Sequence, residues 1–156
     1  MRVAERRLVA AWYVLRIVLG TGSFLAGLDK FFNILATWSM YLSPFAEHLL
    51  PVEGTVFLRA VGVLEMALGL GVLTRFTRLA SYVMAVWLLA IAVNLAITGN
   101  FWDLFLRDLE IATSAFALGR LSGWRKEALD GSFAPKDSDY DAVTRRLGGA
   151  HPARPG

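Results

Sequence analysis

The sequence contains no cysteine and only two histidines, His48 and His151. An in-chain iron–sulfur cluster, a thiolate zinc site, covalent haem attachment and a dithiol relay all need cysteine, and bis-histidine haem needs two histidines that can meet. Four-helix enzymes that generate disulfides while reducing quinone are excluded on the same ground. Any redox role must draw electrons from a partner or from a bound organic cofactor. Charge is scarce too: 19% of the 156 residues are Asp, Glu, Lys or Arg, against roughly 25% in soluble domains. The chain has no internal repeat and no phosphate-binding glycine motif, because its glycines sit mostly inside apolar runs.

What the chain has is hydrophobic length. It is 56% hydrophobic with a mean hydropathy of +0.50, and residues 8–28, 56–73, 80–97 and 103–121 are long apolar runs. Runs of about 18 to 21 residues, rising about 1.5 Å per residue, cover most of a ~30 Å hydrocarbon core. The expectation is an all-α protein, a bundle of four transmembrane helices. The first run resembles a secretory signal, but it is long, contains Arg16 and is followed by "LDKFFN" rather than a small-residue cleavage site, so it is read as an uncleaved helix. Arg2, Arg6 and Arg7 precede it, Arg75 and Arg78 lie between the second and third runs, and Arg120, Arg125 and Lys126 follow the fourth. The remaining loops carry little positive charge, so the positive-inside rule places both termini in the cytoplasm. His48 and His151 then fall on opposite sides of the membrane. The net charge of +3 is accounted for by topology and an anionic leaflet, with no nucleic-acid partner.

Residues 29–55 are too apolar for a free loop and too interrupted for another span. Trp38, Tyr41 and Phe45, with Pro44 and Pro51, predict a short helix in the outer interface that caps the bundle. "TRFT" and "TGNFW" are short connections, which make consecutive helices antiparallel neighbours. The membrane domain is read as 1–121 and a polar cytoplasmic tail as 122–156, with a surface helix over 137–147 and a disordered end. Trp12, Tyr13, Trp102 and Trp124 read as interfacial belt residues, Trp87 and Met84 as packing, and His48 as a loop residue.

The informative anomaly is charge inside the apolar runs. A charge at the bilayer centre costs about 2.5–3.5 kcal/mol on insertion scales, so such residues normally face the bundle interior and pair. Asp103, Arg107, Glu110 and Ser114 share one stripe of the fourth helix, with Asp108 about 100° round from Arg107. Arg16, Gly20, Ser23, Gly27 and Lys30 share a stripe of the first, Gly62, Glu65 and Gly69 one of the second with Arg59 nearer the outside, and Asn94 is the main polar group of the third. Counting inwards from the outer helix ends predicts two layers. Arg16 would pair with Glu65 and with Glu110 in the middle, and Arg59, Arg107, Asp108, Asp103, Asp29 and Lys30 would gather further out. The candidates for ligand binding or proton handling are therefore Arg16, Lys30, Arg59, Glu65, Arg107, Asp108 and Glu110, with no metal site. Two readings stay open: the charges bind a polar head group or conduct protons around an outward-opening cleft, or they only fix helix order and register.

"LRIVLGTGSFLAGLDKFFN", with its arginine, spaced glycines and terminal Lys-Phe, and "LRAVGVLEMALGLGVLTRFTRLAS", with Glu65 followed by glycines and a basic turn, resemble the DoxX family of small bacterial four-helix membrane proteins, as does the polar start of the fourth helix. The resemblance covers about residues 10–121. It implies a multi-pass protein of the bacterial inner membrane, associated with respiratory or thiosulfate-linked, quinone-reactive complexes, often beside partner subunits. It carries Arg16, Lys30 and Glu65 over as pocket residues. The expected function is a membrane subunit of an oxidoreductase or electron-transfer assembly that offers a charged, outward-facing pocket, with no covalent cofactor and with a quinone or lipid as bound ligand. A non-catalytic scaffold or assembly subunit is one alternative. A small transporter or proton conductor using Glu65 and Glu110 is the other.

Overall fold

A computed structural model describes residues 3–44, 48 and 52–129; the expected tail helix, the disordered end and much of the stretch around Pro51 lie outside them. The long helices among the described residues are α1 (Val3–Asp29), α2 (Gly54–Leu73), α3 (Thr77–Thr98) and α4 (Trp102–Leu129), with a short 3-10 helix, η1 (Trp38–Tyr41), between the first two. Among the described residues there is no strand, so the all-α reading holds. Packing divides the chain after Trp124, and the bundle belongs to the first unit.

The α1–α2 pair sets the register of the bundle. Gly20 and Gly27 on α1 and Gly62 and Gly69 on α2 are seven residues apart on each helix, and Gly27 faces Gly62 while Gly20 faces Gly69. A Cβ on Gly27 would stand 2.5 Å from the Gly62 carbonyl oxygen, and one on Gly69 2.6 Å from that of Gly20, so the two backbones are in direct contact. Close approach of this kind is what small residues allow between membrane helices. The register carries a consequence for depth: α2 begins about six residues, or ~9 Å, further out than α1 ends. The helix ends are not level.

Short connections return the chain at both later corners. Thr77 Oγ1 donates to the carbonyls of Val72 and Thr74, each at 2.8 Å, closing the α2–α3 turn. Gly99, at φ 75°, ends α3 in the left-handed conformation that favours glycine. α4 then packs back along α3, with the Tyr82 ring against Phe116 and Gly119. Trp12, Leu19, Leu68, Val72, Met84, Ala85, Ala115 and Leu118 form the core. Trp12 is therefore a core residue rather than a belt residue: it is buried, and its Nε1 donates to Ser122 Oγ at 2.7 Å.

Three helices are long and apolar enough to cross a membrane: Arg6–Asp29, Gly54–Leu73 and Thr77–Thr98, with hydropathies of 1.6, 1.9 and 2.1. Their outward faces are apolar as well, for instance Val18, Leu25, Val63, Leu79, Val86 and Val93. A continuous apolar exterior suits lipid and not water, and the chain is a membrane protein. α4 does not meet the same criterion, which corrects the expectation of four equivalent spans. Asp103, Arg107, Asp108, Glu110 and Arg120 interrupt its apolar runs, and its place in the bundle comes from one buried face, made by Asp108, Ala112, Ala115, Leu118 and Gly119.

Candidate functional site

A partly open cavity of about 700 Å³ occupies the half of the bundle nearest η1, walled by all four helices and by residues 35–42. Most of its wall is apolar, with Val18, Leu58, Val61, Leu88, Leu104 and Ile111 among the contributors. The polar groups are few and concentrated. Lys30, Glu65, Arg107 and Asp108, four of the candidates expected from the sequence, all line it.

Lys30 lies just past the end of α1 and reaches inwards, so its ammonium meets Glu65 of α2. Lys30 Nζ donates to Glu65 Oε2 at 2.5 Å, and the two side chains are 5% and 9% exposed. The indole of Trp38 closes over the ammonium, with Nζ 3.7 Å from the ring centroid, an arrangement that gains strength when desolvated. Lys30 is also near enough to Asp108 of α4 to interact with it electrostatically. Asp108 is held by Arg107, whose Nε and Nη2 donate to Asp108 Oδ1 at 3.0 and 2.9 Å. Two cations and two carboxylates thus balance within one cavity.

The turn after α1 places Trp38. Asp29 Oδ1 accepts the backbone N–H groups of Ile34 and Leu35 at 2.9 and 3.0 Å, and Asp29 Oδ2 accepts Trp38 Nε1–H at 2.8 Å. Asn33, at φ 51°, turns the chain in a region that asparagine tolerates better than most residues. The far end of the segment is fixed by α3: Asn94 Nδ2 donates to the Tyr41 carbonyl at 2.7 Å, and Asn94 Oδ1 accepts the Ser43 N–H at 3.2 Å. The expected cap is therefore present as a 3-10 turn pinned at both ends, lying over the cavity.

Three candidates go elsewhere. Arg16 does not pair with Glu65. Its Nε donates to the Val72 carbonyl at 3.0 Å and its Nη2 to those of Leu73 and Thr74, which satisfies the C-terminal end of α2 with a cation, as the helix dipole favours. The glycine register puts Arg16 opposite Leu73, about eight residues or ~12 Å along α2 from Glu65; counting from helix ends failed because those ends are not level. Glu110 is exposed, since it lies two residues from the buried Asp108 and so on the opposite face of α4. Arg59 and Asp103 are exposed and join neither of the ion pairs formed among the described residues. Asp29 serves its own turn rather than an outer charge cluster. His48 is exposed.

Two site residues carried no functional weight in the sequence reading. Trp38 read as an interfacial aromatic, yet it is the lid on Lys30. Trp87 read as packing, yet its indole lies beside Glu65 in the cavity wall and interacts with that carboxylate, although its buried Nε1 reaches full hydrogen-bond geometry with no group among the described residues. The available signal was position: Trp87 is at the centre of α3, far from either interface, where an indole N–H needs an acceptor. Compared with protein-family models, with curated proteins and with solved structures, the chain matches none.

Proposed function

We propose that this chain is an integral membrane subunit that holds a quinone-type amphiphile in its cavity, as part of a respiratory or other quinone-linked electron-transfer assembly of a bacterial inner membrane. The observation that carries this reading is the combination within one cavity of a buried Lys30–Glu65 pair, the Trp87 indole beside that carboxylate and an otherwise apolar wall. The Trp87 N–H has no well-aligned acceptor among the described residues, and a quinone carbonyl is an acceptor that would supply one. Lys30 has further N–H groups for the same oxygen, Asp108 is placed to exchange a proton with a reduced ring, and the apolar wall suits a prenyl tail. The resemblance of α1 and α2 to the DoxX family supports the same class of ligand.

The test uses the purified chain in nanodiscs, titrated with a short-chain ubiquinone and read by quenching of tryptophan fluorescence. Saturable quenching is expected, and Trp87→Phe, which removes the N–H and puts a single ring in place of the indole, weakens the affinity about tenfold, the value of one hydrogen bond. Lack of saturable binding in a chain that copurifies with a larger complex would establish the scaffold alternative instead. That alternative draws on Arg16 and Asp29, both of which serve the backbone. Conduction across the membrane is disfavoured by the other half of the bundle, where Trp12, Leu19, Val72 and Leu118 fill the interior.

A further inference from the structure

Among the described residues the Glu110 carboxylate has no ion-pair partner. Tyr82 of α3 meets Phe116 and Gly119 of α4, and counting outwards from those contacts puts Glu110 level with Leu88 to Ile91, within about four residues of the midpoint of α3. Because α3 is long and apolar enough to span the membrane, Glu110 lies near mid-depth. It is exposed, it joins neither ion pair of the described residues, and its neighbour one turn away on the same face, Leu106, is an exposed apolar residue. A carboxyl facing lipid at that depth is costly unless another membrane segment covers it.

The same face carries its own complement. Arg107 is three residues from Glu110, its side chain is 53% exposed, and only its Nε and one hydrogen of Nη2 are engaged with Asp108, leaving N–H groups of the guanidinium free to donate. We propose that two copies of this chain associate side by side through α4, with Glu110 of each copy accepting a hydrogen bond from Arg107 of the other. Copies inserted in the same orientation are related by a two-fold axis along the membrane normal, so the two α4 helices run parallel and residue 107 of one stands about 4.5 Å in height from residue 110 of the other. An arginine spans that offset. One patch carrying both signs makes two identical pairs, which is the self-complementarity that a two-fold interface needs.

The absence of native cysteine makes the test direct. Leu106→Cys and Ala117→Cys, both on the Glu110 face, should crosslink one copy to another in native membranes, while Val18→Cys on α1 should not. Glu110→Lys should lower self-association by more than about tenfold, because it sets cation against cation. Copies with two different tags, coexpressed and pulled down through one tag, give the readout. Glu110→Gln, an exposed and nearly isosteric change, controls for folding and should also weaken the pair. A monomeric wild type, crosslinking of Leu106→Cys only to a different polypeptide, equal crosslinking from Val18→Cys, or undiminished association of Glu110→Lys would each overturn the proposal.

Discussion

Lys30 and Glu65 show what a buried charge does once its partner is known. With side chains 5% and 9% exposed, neither ion can fall back on water. Removing one partner from such a pair costs about 3–5 kcal/mol, whereas replacing both with apolar side chains is close to neutral. Lys30→Met and Glu65→Gln should therefore each lower the unfolding free energy in detergent by several kcal/mol, and Lys30→Met/Glu65→Met should recover most of the loss; additive losses would show that the pair is not formed. Arg16 gives the contrasting case. Arg16→Leu removes charge-assisted bonds to the end of α2 and should cost roughly 1.5–3 kcal/mol. Its effect should add to that of Glu65→Gln within about 0.5 kcal/mol, because the two sites share no partner. A coupling above about 1 kcal/mol between them would contradict the register described here.

At the scale of elements, the α1–α2 contact depends on having no side chain at four positions. An added Cβ at Gly62 would stand 2.6 Å from the Gly27 carbonyl oxygen, whereas one at Gly22 would meet nothing within 4 Å. Gly62→Ala should separate the helices and destabilise by about 1–3 kcal/mol, as overpacking does. Gly22→Ala should be neutral or stabilising by up to about 1 kcal/mol, since alanine is the better helix residue. Thermal unfolding of the two variants side by side checks this, and an equal loss in both would reduce the effect to propensity. The segment over the cavity depends on Asn94. Asn94→Leu removes both of its bonds to residues 41–43, so hydrogen exchange at the Ser43 amide should accelerate while exchange within α1 stays unchanged. The sequence pointed to this element through its aromatics and prolines, but Asn94 as its anchor is 51 residues away from Ser43, and no local pattern links the two.

For the whole molecule, antiparallel helices bring Arg6, Arg7, Arg75, Arg78 and Arg120 to one end of the bundle and η1 to the other. Ile34 is 80% exposed beside η1, and Phe76 is 55% exposed at the arginine end. The positive-inside rule predicts that the arginine end is cytoplasmic, so Ile34→Cys should react with an impermeant maleimide added to intact cells, and Phe76→Cys only after permeabilisation; the reverse pattern would invert the topology. Much of this architecture was legible from local properties. Apolar length determined the helices, short connections determined that they alternate, and the paired glycines, Lys30, Glu65 and Asp108 marked where the chain departs from plain lipid-facing helix. Which charges meet was not legible, because it depends on two quantities that a linear count does not contain. One is axial register, fixed by the contact of Gly27 with Gly62, which slides Glu65 away from Arg16 and under Lys30. The other is the rotation of α4, fixed by packing of Ala112, Ala115 and Leu118, which turns Asp108 into the cavity and Glu110 out of it. Composition and periodicity bound each helix separately; only contact between helices decides how they stand against one another, and that is what assembled the cavity.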